Sequence, residues 1–569
     1  MSMFRKSLLA LACTTALVGS ASANHINESF DGAWVDTTAL GRNKGLMVDY
    51  IPSANVFFFA FFTYNPAGQQ IWLTGQFTPQ AGVFDYTNVP VSVVTGGQFA
   101  AQGSPAFNQV GTVSLALSCD KIDLAFTAGS GSGLSNAGFS FLPSIGLDKL
   151  TSAQCNMPLS SCPTGTTASG NDCKLPNSIS NDLFLPAGKK YIVQGQVSVE
   201  SGGRLMIAPG VTVQGAADDS IPNFLAVKTG GKIYAEGTAE QPITFTGPRA
   251  EVGSWSGLVI AGSSTCNDAA GGQPCTFEAV PEITYGGTQL DDNSGSLRYV
   301  RIQYAGFAVR PDEELNSLTL LGVGSGTKLE YIQVDGGKDD GIEFFGGSVN
   351  ARHIVCSNMG DDCLDFDQGY SGKIQHALIF QGENTDIGSD SNGIESDNDS
   401  SSPDKQPRTR PTVSNITLVG GANGNEGMRL RRGTGGNYFS AVIAGFKDRC
   451  LNLDTGATFA LGTGTAQGEL LSIRNSFVGS CTGGQFEDTA GSADPSPLPY
   501  LVSAWYNAGT GNRTGDPKLT GFLPAADSPL LSGGASPSDP WFVPTTYVGA
   551  FAGPRDNWTA GWTVNLPNQ

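Results

Sequence analysis

The sequence predicts an all-β chain: a small antiparallel β-sandwich or barrel followed by a right-handed parallel β-helix. Three observations carry this prediction. A hexapeptide pattern recurs five times, as Asp339-Asp-Gly-Ile-Glu-Phe344, Asp361-Asp-Cys-Leu-Asp-Phe366, Ser391-Asn-Gly-Ile-Glu-Ser396, Asn425-Glu-Gly-Met-Arg-Leu430 and Asp448-Arg-Cys-Leu-Asn-Leu453, at intervals of 22 to 34 residues. A small residue followed by apolar, polar and usually apolar positions at such a period is the mark of a stacked repeat. Many short alternating runs, from Val197-Ser-Val-Glu200 to Ile243-Thr-Phe245, lie between Gly, Asn, Asp or Pro turns. Finally, 76 glycines and 31 prolines among 569 residues, with charge at only 15%, suit short strands and tight turns. No long 3.6-residue periodicity with a cap at each end is present.

Residues 1–23 have the parts of a secretory signal peptide. Arg5 and Lys6 form the basic region, Leu8 to Val18 the apolar region, and Ala21-Ser22-Ala23 a small-residue cleavage site. The mature chain is expected to begin near Asn24 and to be secreted or held at the outer surface. A lipoprotein site at Cys13 would leave a very short apolar region. Cleavage removes two cations and no anions, taking the net charge from −19 to −21. That balance argues against nucleic acid and anionic membrane as partners and permits divalent cations. No later apolar run reaches the ~18–20 residues of a membrane span. Ten cysteines remain without Cys13, an even number in an exported chain, and neighbours along the sequence pair as Cys119–Cys155, Cys162–Cys173, Cys266–Cys275, Cys356–Cys363 and Cys450–Cys481.

Residues 24–155 form the antiparallel module. Phe57 to Tyr64 is a β-prone aromatic run, Asn65-Pro-Ala-Gly68 a turn, and Gln69 to Phe77 the returning strand. The aromatic run reads either as core or as a glycan-stacking face. The block resembles a module recurrent in secreted proteins of gammaproteobacteria, with a tryptophan-bearing hairpin and a closing cysteine, to which no activity attaches. A linker of Ser, Thr, Gly and Pro spans 156–178, stapled by Cys162–Cys173.

From 179 to 569 the chain reads as the β-helix with a C-terminal cap. Plain apolar strands such as Leu329 to Val334, His353 to Val355 and Ile374 to Ile379 alternate with the hexapeptides, so each coil contributes one plain and one decorated strand. Residues 250–565 resemble a poorly characterised family of secreted bacterial β-helix proteins. The resemblance rests on Trp255-Ser-Gly-Leu-Val-Ile-Ala-Gly262, Leu297-Arg-Tyr-Val-Arg-Ile302, Glu314-Leu-Asn-Ser-Leu-Thr-Leu320, the run from Asp339 to Gly347 and the closing Asn557-Trp-Thr-Ala-Gly-Trp-Thr563. It implies the fold and leaves the function open.

Alternation across the decorated strands turns Ile342 and Phe344 inward and Glu343 and Phe345 outward. The same register exposes Asp365 and Asp367, Glu395 and Asp397, Arg429 and Arg431, and Asn452 and Asp454 on successive coils. With coils about 4.8 Å apart, five carboxylates share one patch beside two arginines. Like charges so placed need a counter-charge or raised pKa values. Ca²⁺ would suit the oxygen ligands of Glu343, Asp362, Asp365, Asp367, Glu395 and Asp397, with Asp361, Asn392, Asp399 and Glu426 nearby. Alternatively, Arg429 and Arg431 neutralise the patch internally. In a third arrangement one carboxyl is an acid and its neighbour ionised, which suits glycoside hydrolysis or, as in pectate-lyase β-helices, uronate elimination. The catalytic set would then be Asp365, Asp367, Glu395, Asp397, Arg429 and Arg431, although neither the arginine motif of those lyases nor the signatures of polygalacturonases are present. The leading expectation is a non-catalytic protein binding a polysaccharide or cell-surface glycan with Ca²⁺; a lyase or glycosidase and a structural adhesin stand beside it. The serine-rich acidic stretch from Ser389 to Asp404 reads as a loop or a lid over the patch.

Overall fold

The computed structural model describes residue 26 and segments 30–35, 45–51, 54–64, 69–80, 83–95, 106–117, 121–130 and 145–149, then 162–567 apart from 219, 269–273, 311–314 and 383–390. The signal peptide, the Asn65–Gly68 turn, the Cys119–Cys155 pair, Ser389 and Asp390 lie outside the described residues. No described helix is long and apolar enough to cross a membrane.

The N-terminal strands form a closed antiparallel barrel, β1 (Gly32–Val35), β2 (Gly45–Ile51), β3 (Val56–Tyr64), β4 (Gln70–Phe77), β5 (Asp85–Thr95), β6 (Ala106–Leu117), β7 (Lys121–Ala128) and β8 (Ile145–Lys149), with β8 pairing back onto β1. The aromatic run of β3 divides by alternation. Phe57, Phe59 and Phe61 fill the interior, while Phe62 meets the exposed Trp72 across the strand pair on the outside. Gly75 lies opposite Phe59, where a Cβ would come within 2.3 Å of the ring. The barrel core is closed on itself.

The remaining chain winds into a parallel β-helix. Its decorated sheet has eleven strands in unbroken parallel order, from Ser178–Ile179 to Gly484–Phe486. The five hexapeptides supply consecutive members, Ile342–Phe345, Leu364–Asp367, Ile394–Ser396, Met428–Leu430 and Arg449–Leu453. The plain strands, from Gly295–Gln303 to Thr412–Val419, are each bent at one left-handed residue: Tyr299, Tyr331, His353, His376 and Asn415 have φ of 48°, 56°, 56°, 60° and 57°. The bend converts one strand into two walls, which gives the coil three sides. Leucine, isoleucine, valine and phenylalanine from all three walls form one continuous core.

Four of the predicted disulfides are formed, Cys162–Cys173, Cys266–Cys275, Cys356–Cys363 and Cys450–Cys481. Both ends of the core are covered. Ala116 and Ala125 of the barrel join it at the first coil, and Trp505 and Tyr506 of the short helix Val502–Asn507 join it at the last. Beyond that helix the chain runs back along the bent corner. Gln375 exchanges two hydrogen bonds with the backbone of Val543, at 2.7 and 2.8 Å, and Gln333 does the same with Val564, at 2.7 and 2.9 Å.

Candidate functional site

The register places the decorated side chains in two columns. The first runs Thr319, Glu343, Asp365, Glu395, Arg429, Asn452 from coil to coil. Phe345 pairs with Asp367 in the second, and Asp397, Arg431 and Asp454 prolong it, each donating its backbone N–H to the preceding coil. Phe345 faces away from the helix core, yet it is buried under Phe277 from the disulfide-closed excursion after Cys266.

The arginines do not serve the whole patch. Arg431 donates to both oxygens of Asp397 at 2.8 and 3.0 Å and also contacts Glu395. Arg432 reaches Asp397 at 2.6 Å, and Arg429 lies 3.0 Å from Asp454 and 3.7 Å from Glu395. Glu426 takes two hydrogen bonds from the Asn452 amide. The lower coils therefore form an internally neutralised network, the second of the arrangements expected above.

The upper coils differ. Oxygens of Asp340, Glu343 and Asp365 all lie within 4.8 Å of one another, and Asp339, Asp340 and Asp361 form an adjoining trio. Among the described residues no lysine or arginine is within ion-pair distance of Asp340, Glu343 or Asp365. Asn316 donates to Glu343 at 2.6 Å, while Oδ1 of Asp365 is buried without a hydrogen-bond partner. Burial first, then the neighbouring carboxylates, holds all three well above the usual carboxylate range, with Arg431 opposing the rise at Asp365. Burial raises Asp367 to about 6 against the Gln368 N–H that it accepts, and burial and then Asp367 raise Asp397 to about 7, with Arg432 opposing.

Asp362 is partly committed to the turn. Asp340 accepts the N–H of Asp362, Asp362 that of Asn392, and Asn392 that of Glu426, so one acceptor per coil stitches this corner. Asp399 is pulled down to about 2, where bonds from Lys405, Ser401 and Ser402 outweigh its burial. The stretch around it is folded into a coil corner, with Asn398 bonding back to Pro403 and Lys405.

Sequence reasoning missed Asp340 and Arg432. Both flank the strands in turns, where strict alternation gives no direction. The doubled Asp339-Asp340 and Arg431-Arg432 were the available signals. The histidines belong elsewhere: Tyr299, Tyr331, His353 and His376 stack along the bent corner at 4.4, 4.3 and 5.1 Å. Trp558 covers His353, and burial pushes His353 down to about 3 and His376 to about 4, so both are neutral wall residues.

The family described as a pectate-lyase like beta helix domain matches residues 177–563, about two thirds of the chain. This chain belongs to that family. The coils bearing both columns all fall within the pectate-lyase-like beta helix domain, and the barrel lies outside it. A solved structure titled as a pectate lyase, Pel9A, is 13% identical with a TM-score of 0.32, covering 62% of this chain and 88% of that chain. No curated protein matches the sequence.

Proposed function

We propose that this pectate-lyase-like domain is an extracellular, non-catalytic glycan-binding solenoid whose decorated face takes polysaccharide with the help of Ca²⁺. The observation that carries the reading is the division of the ladder. Arginines pair with Glu395 and Asp397, whereas Asp340, Glu343 and Asp365 converge with no lysine or arginine in ion-pair range among the described residues. Ca²⁺ takes hard oxygen ligands at 2.3–2.6 Å, so two ligands on opposite sides of one ion are about 5 Å apart. Three carboxylate oxygens that all lie within 4.8 Å of one another suit that size. Asp367 and Asp362 border the site, each among the charges acting on its carboxylates. Glu395, Asp397, Arg429 and Arg431 would then form a fixed polar floor for sugar hydroxyls. Disulfides fit the oxidising compartment that this role needs.

Isothermal titration of the chelator-treated protein with CaCl₂ at pH 7.5 tests the site. Wild type is expected to bind, and Asp340→Asn with Asp365→Asn to bind at least tenfold more weakly. Absence of binding heat in wild type at millimolar Ca²⁺ sinks the cation reading. Affinity electrophoresis through a panel of acidic and neutral polysaccharides, with and without Ca²⁺, tests the glycan.

A glycosidase is the second reading, favoured by Asp367, whose carboxyl at about 6 keeps a proton at mildly acidic pH. Release of reducing ends from the same panel, lost in Asp367→Asn, would establish it.

A further inference from the structure

A second side of the solenoid carries a cleft of about 390 Å³ between the bent strands and the returning C-terminal segment. Its floor is a charge-alternating column, Glu236, Arg298, Glu330, Arg352, set by the parallel register. Lys328 and Trp541 also line it. Three cations thus face two carboxylates, in a chain whose net charge is −19.

The column satisfies itself only in part. Arg298 lies 3.7 Å from Glu330 and over the Tyr299 ring, 5.2 Å from its centroid. Arg352, at the far end, has no carboxylate within ion-pair distance among the described residues. Its neighbour on the next coil is the neutral Gln375. Its guanidinium is nonetheless oriented, lying 4.2 Å from the centroid of the Trp541 ring and donating one N–H to the Trp541 carbonyl. Nε of Arg352 and Nε of Arg298 are buried and have no hydrogen-bond partner. A guanidinium held by an aromatic face, with donor capacity unspent, is pre-organised for an oxyanion.

We infer that this cleft binds a saccharide bearing an oxyanion, a carboxylate or a sulfate ester, with Arg352 as its anchor. The volume lies toward the small end of ligand sites and admits a short oligosaccharide. Lys328 adds positive charge at the mouth, and Asn350 and Ser325 offer polar atoms to hydroxyls. The site is independent of the carboxylate trio on the decorated sheet.

Titration calorimetry of the full chain with three trisaccharides of equal length, one carboxylated, one sulfated and one uncharged, tests the assignment. Binding of the carboxylated or the sulfated sugar, with the uncharged one at least tenfold weaker, supports it and tells which oxyanion is read. Arg352→Gln should weaken the charged sugar roughly tenfold or more, the scale of a charge-assisted hydrogen bond. Running these titrations in chelator keeps the proposed Ca²⁺ site unloaded, so the affinity read is that of this cleft. Lys328→Gln, an exposed change, should reduce affinity and its salt dependence even if Arg352→Gln melts early. Equal binding of charged and uncharged sugars, equal binding of inorganic sulfate alone, or wild-type affinity in both variants overturns the inference.

Discussion

Asp340, Glu343 and Asp365 hold their protons longer in the folded protein than in the unfolded chain, where carboxyls titrate near 4. Asp367 is held up in the same way, at about 6. Between pH ~4 and 6 the unfolded chain has released protons that the native state keeps, so these groups cost increasing stability as pH rises. His353 and His376 act in the opposite sense. They stay neutral down to about 3 and 4 while unfolded imidazoles protonate near 6.5, so their contribution is lost as pH falls below ~6.5. The carboxylate effect is therefore read as the difference between wild type and Asp340→Asn with Asp365→Asn. Calorimetric melts without Ca²⁺ should show the double variant gaining on wild type from pH 5 to 7.5, and Ca²⁺ at pH 7.5 should raise only the wild-type midpoint. A difference independent of both pH and Ca²⁺ would contradict the account. Alternation made the columns from Glu343 to Arg429 legible in the sequence. It left Asp340 unread, because the residue sits in a turn and returns toward the strand face.

At the level of elements, the decorated strands announced themselves because their pattern is local, a few residues long and repeated. The bends of the plain strands did not. Leu329 to Val334 reads as one continuous strand, yet Tyr331 is left-handed, a conformation that tyrosine does not signal and for which histidine and asparagine are only enriched, not diagnostic. The returning C-terminal segment was equally hidden, since its partners lie 168 and 231 residues away in sequence. Asn557 to Thr563 stood out only as a family match, while its Trp558 and Trp562 cover the stacked corner. Gln375 and Gln333 are fully buried clips, each satisfying one donor and one acceptor of that segment. Gln375→Ala leaves both backbone groups of Val543 without these partners and should cost about 1–3 kcal/mol. Adding Gln333→Ala should cost a similar further amount, nearly additively, as the clips share no partner. Urea denaturation measures both; a loss under about 0.5 kcal/mol for the pair would show that water replaces the clips without penalty.

Across the whole molecule, a stack of coils buries each repeat against its neighbours and leaves two raw ends. The C-terminal end is closed from within by Trp505 and Tyr506, and the N-terminal end by the barrel through Ala116 and Ala125. Polar contacts fasten that junction: Arg204 donates to Asp182 at 2.7 Å, and Thr127 of the barrel bonds both residues. Barrel and solenoid otherwise keep separate cores, so the solenoid should fold without the barrel but not remain capped. A fragment of residues 162–569 is expected to retain β-sheet circular dichroism and a cooperative melt. Its first coil would then present open strand edges and the apolar side chains of Leu183, Phe184 and Tyr191, a surface prone to pairing with another copy. Sedimentation should show concentration-dependent association of the fragment beyond that of the full chain, weakened by Leu183→Lys. A fragment without β-sheet signal would make the barrel part of the solenoid's folding unit, whereas one that associates no more than the full chain would deny the barrel its role as a cap.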